Sequence, residues 1–238
     1  MRALPWLLGG AAAAAALYYL MRRDRDEPNT LGAPLPGRWV WPVGVWQGRK
    51  PEITDGFSSK RRTPVGDIIT HGGVDIMYRR HPGDTWRAGT PHGTRNFVMP
   101  DDRAALAASD GVVWFAANTP RGWTVIIDHA PRKLATYYTH LSSLLVTTKQ
   151  KVSAGTPVGI IGADPLDGEH IMHLHFEVWR GGASDRFDPQ PLMLAGWEYV
   201  RDPAEPTGAL VARNARALSP SSRIPVRAHS HSWPRPDQ

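Results

Sequence analysis

Between about Ile53 and Asp188 no stretch of this chain keeps a 3.6-residue apolar period long enough for a helix, and glycines and prolines break it into short runs. That pattern excludes a helical bundle and leaves short strands joined by turns. Val112-Val-Trp-Phe115 is an apolar run opened by the turn pair Asp110-Gly111. Trp123 to Asp128 and Leu134 to Tyr138 are rich in β-branched and aromatic residues and flank residues 129–133, which reads as a hairpin. Val158 to Ile161 and Leu174 to Trp179 are two further strands. The expected fold is all-β, a compact antiparallel β-sheet or sandwich core, with no internal repeat.

The flanks differ from this core. Residues 3–20 carry no charge, with Arg2 before them and Arg22-Arg23 behind. Eighteen such residues lie between a long export signal and a short membrane span. Residues 1–24 are therefore read as a hydrophobic helix serving as signal peptide or N-terminal membrane anchor. The protein is expected to be exported to the periplasm or cell envelope. Residues 25–47 form a Pro/Gly/Trp linker whose Trp39, Trp41 and Trp46 dock onto the domain. The domain itself is placed at 48–199. Residues 200–238 are Pro-, Ser-, Arg- and Ala-rich and are expected to be a disordered tail, with a short helix around Ala209 to Ala217.

The chain has no cysteine, which removes a thiolate metal site, a cysteine nucleophile and any disulfide. A metal would have to be held through nitrogen and oxygen, and 10 histidines are available. The net charge of +6 suits an anionic partner such as a wall polymer or lipid headgroups, and equally a basic protein that is merely soluble. No aromatic RNA-binding signature or groove-entering basic helix is present, so nucleic acid is not an expected partner.

His173-Leu-His-Phe-Glu177 is the most informative segment. On a strand, His173, His175 and Glu177 share one face, about 6.6 Å apart from one to the next, while Leu174, Phe176 and Val178 face the core. One imidazole can bind a metal while the other addresses the water or the substrate. In His71-Gly-Gly-Val-Asp75 a fully extended chain would separate the two donors by ~13 Å, too far to share an ion. Gly72 and Gly73 allow the bend that brings them together. A third histidine, His140, ends the strand that closes with Tyr138-Thr139. His81, His92 and His129 read as surface residues, and His229 and His231 as idle in the tail.

Taken in order, these pieces resemble the lysostaphin/LytM-type (M23) zinc metallopeptidases, which cut peptide bonds in bacterial peptidoglycan. The resemblance runs from about Thr54 to Pro189. It starts at Asp55-Gly-Phe57 with Arg61 behind, and continues through His71-Gly-Gly-Val-Asp75 and Ala107-Ala-Ser-Asp-Gly-Val-Val113. Tyr138-Thr-His-Leu-Ser142, the Val152 to Gly162 turn and strand, His173-Leu-His-Phe-Glu177 and Asp188-Pro189 complete it. The resemblance implies that His71, Asp75 and His175 hold Zn2+, that His140 and His173 are the catalytic pair, and that the substrate is a peptidoglycan stem peptide or cross-bridge. Glu177 would either orient an imidazole or lie at an edge in solvent. Some proteins of this fold have lost ligands and act as wall-binding modules or activators of other hydrolases; here all five positions are filled. Two departures stand out. About thirty residues, Tyr78 to Ala107, separate Asp75 from the Asp110-Gly111 turn and are read as a rim or lid. The small-residue run before His173 is replaced by Asp164-Pro-Leu-Asp-Gly-Glu-His170-Ile-Met172.

Overall fold

Alternation along two central strands organises the sheet. In β12 (Leu174–Arg180) the side chains of Leu174, Phe176 and Val178 are fully buried, and in β4 (Val74–Arg79) so are Val74, Ile76 and Tyr78. The two strands are antiparallel neighbours, so these rows make one continuous core wall. Removing a side chain such as Phe176 to alanine would cost about 3–5 kcal/mol by leaving a cavity there.

The remaining elements extend this pair. They are β1 (Pro51–Asp55), β2 (Lys60–Arg62), β3 (Ile68–Thr70), β5 (Phe97–Val98), β6 (Ala104–Leu106), β7 (Gly111–Thr119), β8 (Gly122–Asp128), β9 (Leu134–Leu144), β10 (Lys151–Val152), β11 (Pro157–Ile161), β13 (Arg186–Phe187) and the short helix α1 (Gln190–Gly196). The main sheet runs β1-β4-β12-β9-β8-β7-β10, all antiparallel, with β11 bridging β9 to β6. β2 and β3 form a separate two-stranded ribbon. This is a computed structural model that describes residues 35, 37–62, 66–85, 91–130, 132–166 and 171–203. The N-terminal hydrophobic segment 1–24 and the tail beyond 203, with its expected helix at 209–217, lie outside the described residues. Among the described residues no helix is long and apolar enough to cross a membrane.

The expected antiparallel all-β fold is what the chain adopts. The hairpin read around residues 129–133 is the β8–β9 connection. Two local expectations need correction. His140 does not end its strand: β9 continues to Leu144, and a β-bulge at Thr139-His140 shifts the register against β8. His140 takes φ +63° there, so the bulge re-aims its side chain. His129 is not at the surface but fully buried. Its Nδ1 lies 2.8 Å from the Asp110 carbonyl and its Nε2 2.8 Å from Thr136 Oγ1, so burial costs no unmade hydrogen bond. His81 is exposed and His92 half-buried.

The tryptophans ahead of β1 belong to the core. Trp39 stacks on Trp197 and Trp41 on Tyr199, each pair with ring centroids 4.9 Å apart. The two segments run parallel, bridged at Val40–Glu198 and Val45–Arg201. Their backbone bonds are Trp41 N to Glu198 O, Glu198 N to Trp39 O, Val45 N to Val200 O and Asp202 N to Val45 O. A buried ion pair, Arg103 to Asp202 at 3.0 Å, pins the end of this clasp. In the Tyr78 to Ala107 insertion, Val98, Met99 and Ala104 to Ala107 are core residues, and the Pro91 carbonyl accepts from Met172 N, next to His173.

Candidate metal centre

The antiparallel register of β4 and β12 places Asp75 directly opposite His175. His71 reaches the same point through Gly72-Gly73. A side chain at Gly73 is excluded, because its Cβ would lie 2.4 Å from the Phe176 carbonyl oxygen and 3.1 Å from His175 Nε2. The glycine therefore serves strand approach as well as chain bending. Three donors converge as a result. His71 Nε2 and His175 Nδ1 are 2.9 Å apart, His175 Nδ1 and Asp75 Oδ1 3.0 Å, and His71 Nε2 and Asp75 Oδ1 3.2 Å.

The outer nitrogens determine what faces inward. His71 Nδ1 donates to the Gly56 carbonyl at 2.9 Å, and His175 Nε2 donates to Glu177 Oε1 at 2.9 Å. Each neutral ring then turns a lone pair into the triangle, where the carboxylate is a third acceptor. In that tautomeric arrangement the three groups leave a gap that a cation would fill, while Arg61 reaches His71 Nε2 and the outer Asp75 oxygen from one side. Tetrahedral bonds of about 2.0–2.1 Å put neighbouring donors roughly 3.3 Å apart, close to the observed edges, and two imidazoles with one carboxylate suit zinc. The group of His71, Asp75 and His175 fits a metal ion by this test.

Charge in the cluster follows the same logic. Burial pushes the Asp75 carboxyl up, but the imidazoles of His173, His175 and His71 outweigh that and hold it well below the usual carboxylate range. Burial pushes the His175 imidazole down, and its hydrogen bonds to Asp75 and Glu177 overcome this and raise it. A proton on His175 and a cation in the triangle thus answer the same negative charge and compete.

His140 and His173 flank the triangle with ring centroids 4.8 Å apart, and His140 is 5.6 Å from the His175 ring. Both donate through Nδ1 to a backbone carbonyl, His140 to Arg121 at 3.1 Å and His173 to Ile171 at 2.8 Å. The Nε2 of His173 is buried with no hydrogen-bond partner among the described residues, 3.6 Å from Asp75 Oδ2, and that of His140 faces Asp164 Oδ2 at 3.7 Å. Burial, with His173 and His175 alongside, pushes the His140 imidazole far below its ordinary value.

Glu177 is buried rather than at a solvent edge, and besides His175 it accepts from Trp179 Nε1 at 2.6 Å and Arg186 at 3.3 Å. Three charged residues that the sequence did not single out as part of the site also meet here. Arg61 on β2 bonds Asp55 at 2.7 Å, the outer oxygen of Asp75, and His71 Nε2 at 3.2 Å. Asp164 Oδ2 lies 3.7 Å from His140 Nε2 and 3.0 Å from an Arg121 amine. In the sequence Arg61 stands out only by its place behind Asp55-Gly-Phe57. Asp164 stands where the resemblance to the M23 peptidases broke down, which was the one available signal.

Residues 90–189 match the profile of peptidase family M23. The chain carries an M23 peptidase domain. The matched span holds His140, His173 and His175, whereas His71 and Asp75 precede it and join through β4. Over 102 residues the M23 domain is 36% identical to the peptidoglycan DD-endopeptidase ShyA of Vibrio cholerae serotype O1. That alignment covers 42% of this chain and 22% of the relative, so the chain spans about a fifth of that protein's length. In fold the M23 domain is similar to a solved SpoIIQ–SpoIIIAH pore-forming complex, with a TM-score of 0.51 and 19% identity over 66% of this chain and 91% of that one. A zinc-containing peptidase from Vibrio cholerae is 27% identical, with a TM-score of 0.47 over 68% of this chain and 41% of that chain.

Proposed function

We propose that this chain is a zinc-dependent metalloendopeptidase that hydrolyses peptide bonds in bacterial peptidoglycan, acting in the periplasm or cell envelope where that polymer lies. The observation that carries the reading is a group of three metal-type donors flanked by two buried imidazoles, His140 and His173, of which His173 leaves its Nε2 without a hydrogen-bond partner among the described residues. His71, Asp75 and His175 would hold the ion, and Glu177 and the Gly56 carbonyl fix the tautomers of its two histidines. Zinc bound there would supply Lewis acidity toward a peptide carbonyl and acidify water.

The chain's own residues do the rest. His140 and His173, each with Nδ1–H tied to a carbonyl, present Nε2 as proton acceptors toward the site. Between them they divide the two proton transfers of amide hydrolysis, one from the attacking water and one to the departing nitrogen. Once protonated, either ring donates a hydrogen bond to the developing oxyanion. The bulge at His140 is rigidly held, since Arg121 O accepts from both its backbone N and its Nδ1. The test is the full chain, loaded with zinc and incubated with purified peptidoglycan, with fragments followed by mass spectrometry. New peptide termini that disappear with chelator, with His175→Ala and with His140→Ala are expected. Zinc and wall binding with no release from several wall chemotypes would refute the enzyme and leave a binding module.

A further inference from the structure

Beside the donor triangle lies a cleft of about 450 Å3. Its floor is apolar, made by Phe115, Ile126, Tyr137 and Trp179. Among the described residues its charged lining is Arg61, Arg121 and Arg186 against the carboxylate of Glu177. Glu177 is already engaged by His175, Trp179 and Arg186, and Arg61 by Asp55 and Asp75. The other two guanidiniums are only partly engaged. Arg121 gives one amine to Asp164, and its side chain is 49% exposed. Arg186 gives Nε to the Ala183 carbonyl and Nη1 to Glu177, and its side chain is 43% exposed. Among the described residues their remaining N–H groups have no partner.

Arg186 is built into place. A Cβ at Gly72 would lie 2.0 Å from its Nη1, so the glycine next to His71 makes room for the guanidinium. Arg121 is tied to the reacting centre through its own backbone, whose carbonyl holds His140. A group docked on the Arg121 side chain is therefore kept in fixed relation to the His140 imidazole. A guanidinium with N–H groups left over matches a carboxylate, and more so beside apolar side chains.

We propose that this cleft selects peptides bearing a free carboxylate, with Arg121 and Arg186 as the docking groups. The proposal rests on the peptidase reading and names its substrate class: anionic cross-linked wall peptides over neutral glycine bridges. The carboxylate can come from a side chain or from the peptide terminus, and the two sources share this chemistry.

The experiment uses the full chain and four synthetic probes. These are a cross-linked wall-peptide dimer with all carboxylates free, the same dimer amidated at its side chains, the same dimer amidated at its C-termini, and pentaglycine amide. Binding is measured by calorimetry on the metal-free protein, where nothing is cut, and turnover on the zinc-loaded protein. The free dimer is expected to bind about fivefold or more tightly than one of the amidated forms, and that form identifies the carboxylate. The advantage should shrink in Arg121→Gln and Arg186→Gln, fall with added salt, and recover in part in Arg121→Lys. Turnover should show a raised KM on the disfavoured dimer. Arg121→Gln keeps the carbonyl that holds His140, so a lost preference reports the guanidinium itself. Equal affinity for free and amidated dimers, a preference untouched by both substitutions, or no binding of any dimer overturns the proposal. Cleavage of all dimers at one kcat/KM would sink it while leaving the peptidase reading intact. Arginine-dependent preference with no cleavage at all would do the reverse.

Discussion

Gly73 is the position at which the backbone and the metal centre are most tightly coupled. In Gly73→Ala the new methyl would sit 2.4 Å from the Phe176 carbonyl oxygen and 2.8 Å from Glu177 Cγ. A carbon needs roughly 3.3 Å from a carbonyl oxygen, so β12 must retreat from β4 by about 0.9 Å. Phe176 and Val74 are paired across that ladder, and the next pair is His175 with Asp75. The retreat therefore opens the triangle whose edges now measure 2.9, 3.0 and 3.2 Å. Overpacking of this kind costs about 1–3 kcal/mol, which is roughly 2 to 12 °C in Tm for a domain of this size. Displaced donors should weaken zinc binding by about 10- to 100-fold. Thermal unfolding of the metal-free protein and competition with a chromogenic chelator read the two effects separately. Gly196→Ala is the control, since a Cβ there meets nothing within 4 Å. Gly73→Ala with unchanged Tm and zinc affinity within twofold of the parent would falsify the account of why a glycine stands there.

Glu177→Gln keeps one oxygen for two buried donors, His175 Nε2 and Trp179 Nε1, and should lower zinc affinity about 10-fold in the same competition assay; an unchanged constant would remove Glu177 from the centre. Zinc at about 100 times its Kd should stabilise the fold by about 2.7 kcal/mol, or roughly 5 to 11 °C, and chelator should reverse it; a metal-independent Tm counts against the site. Burial holds His129 down at about 4 against an ordinary 6.5. Between those values the unfolded chain binds the extra proton, so this residue makes stability rise with pH across the window, by about 3 kcal/mol in full. Urea unfolding from pH 7.5 to 4.5 should show parent and His129→Gln converging as pH falls, and parallel curves would contradict the burial of that ring.

The parts of this protein legible in its sequence are those where one period decides the outcome. The strand alternation of His173 to Val178 placed three apolar side chains inward and two histidines and a glutamate on the other face, as the structure has them. The glycines of residues 71–75 announced a bend, though not that β12 would press against it. Burial of His129 was illegible because hairpin loops carry no period, and its partners, Asp110 and Thr136, reveal nothing of their position by spacing. The bulge at His140 depends on register against β8, which no local pattern encodes. Arg61 comes from the β2 strand and Arg121 and Asp164 from two separate connections, and only the folded sheet brings them together.

The clasp between residues 39–45 and 198–202 also sets how the domain answers a pull on its chain. Because the two segments are parallel, the incoming chain joins one end of the ribbon and the outgoing chain leaves from the other. Tension between them acts along the ribbon, so its backbone bonds share the load together instead of opening one after another. Two aromatic stacks, Trp39 on Trp197 and Trp41 on Tyr199, must slide before the ribbon yields. With no cysteine in the chain, this non-covalent shear joint is where the fold would bear force, on segments that do not include His71, Asp75 or His175.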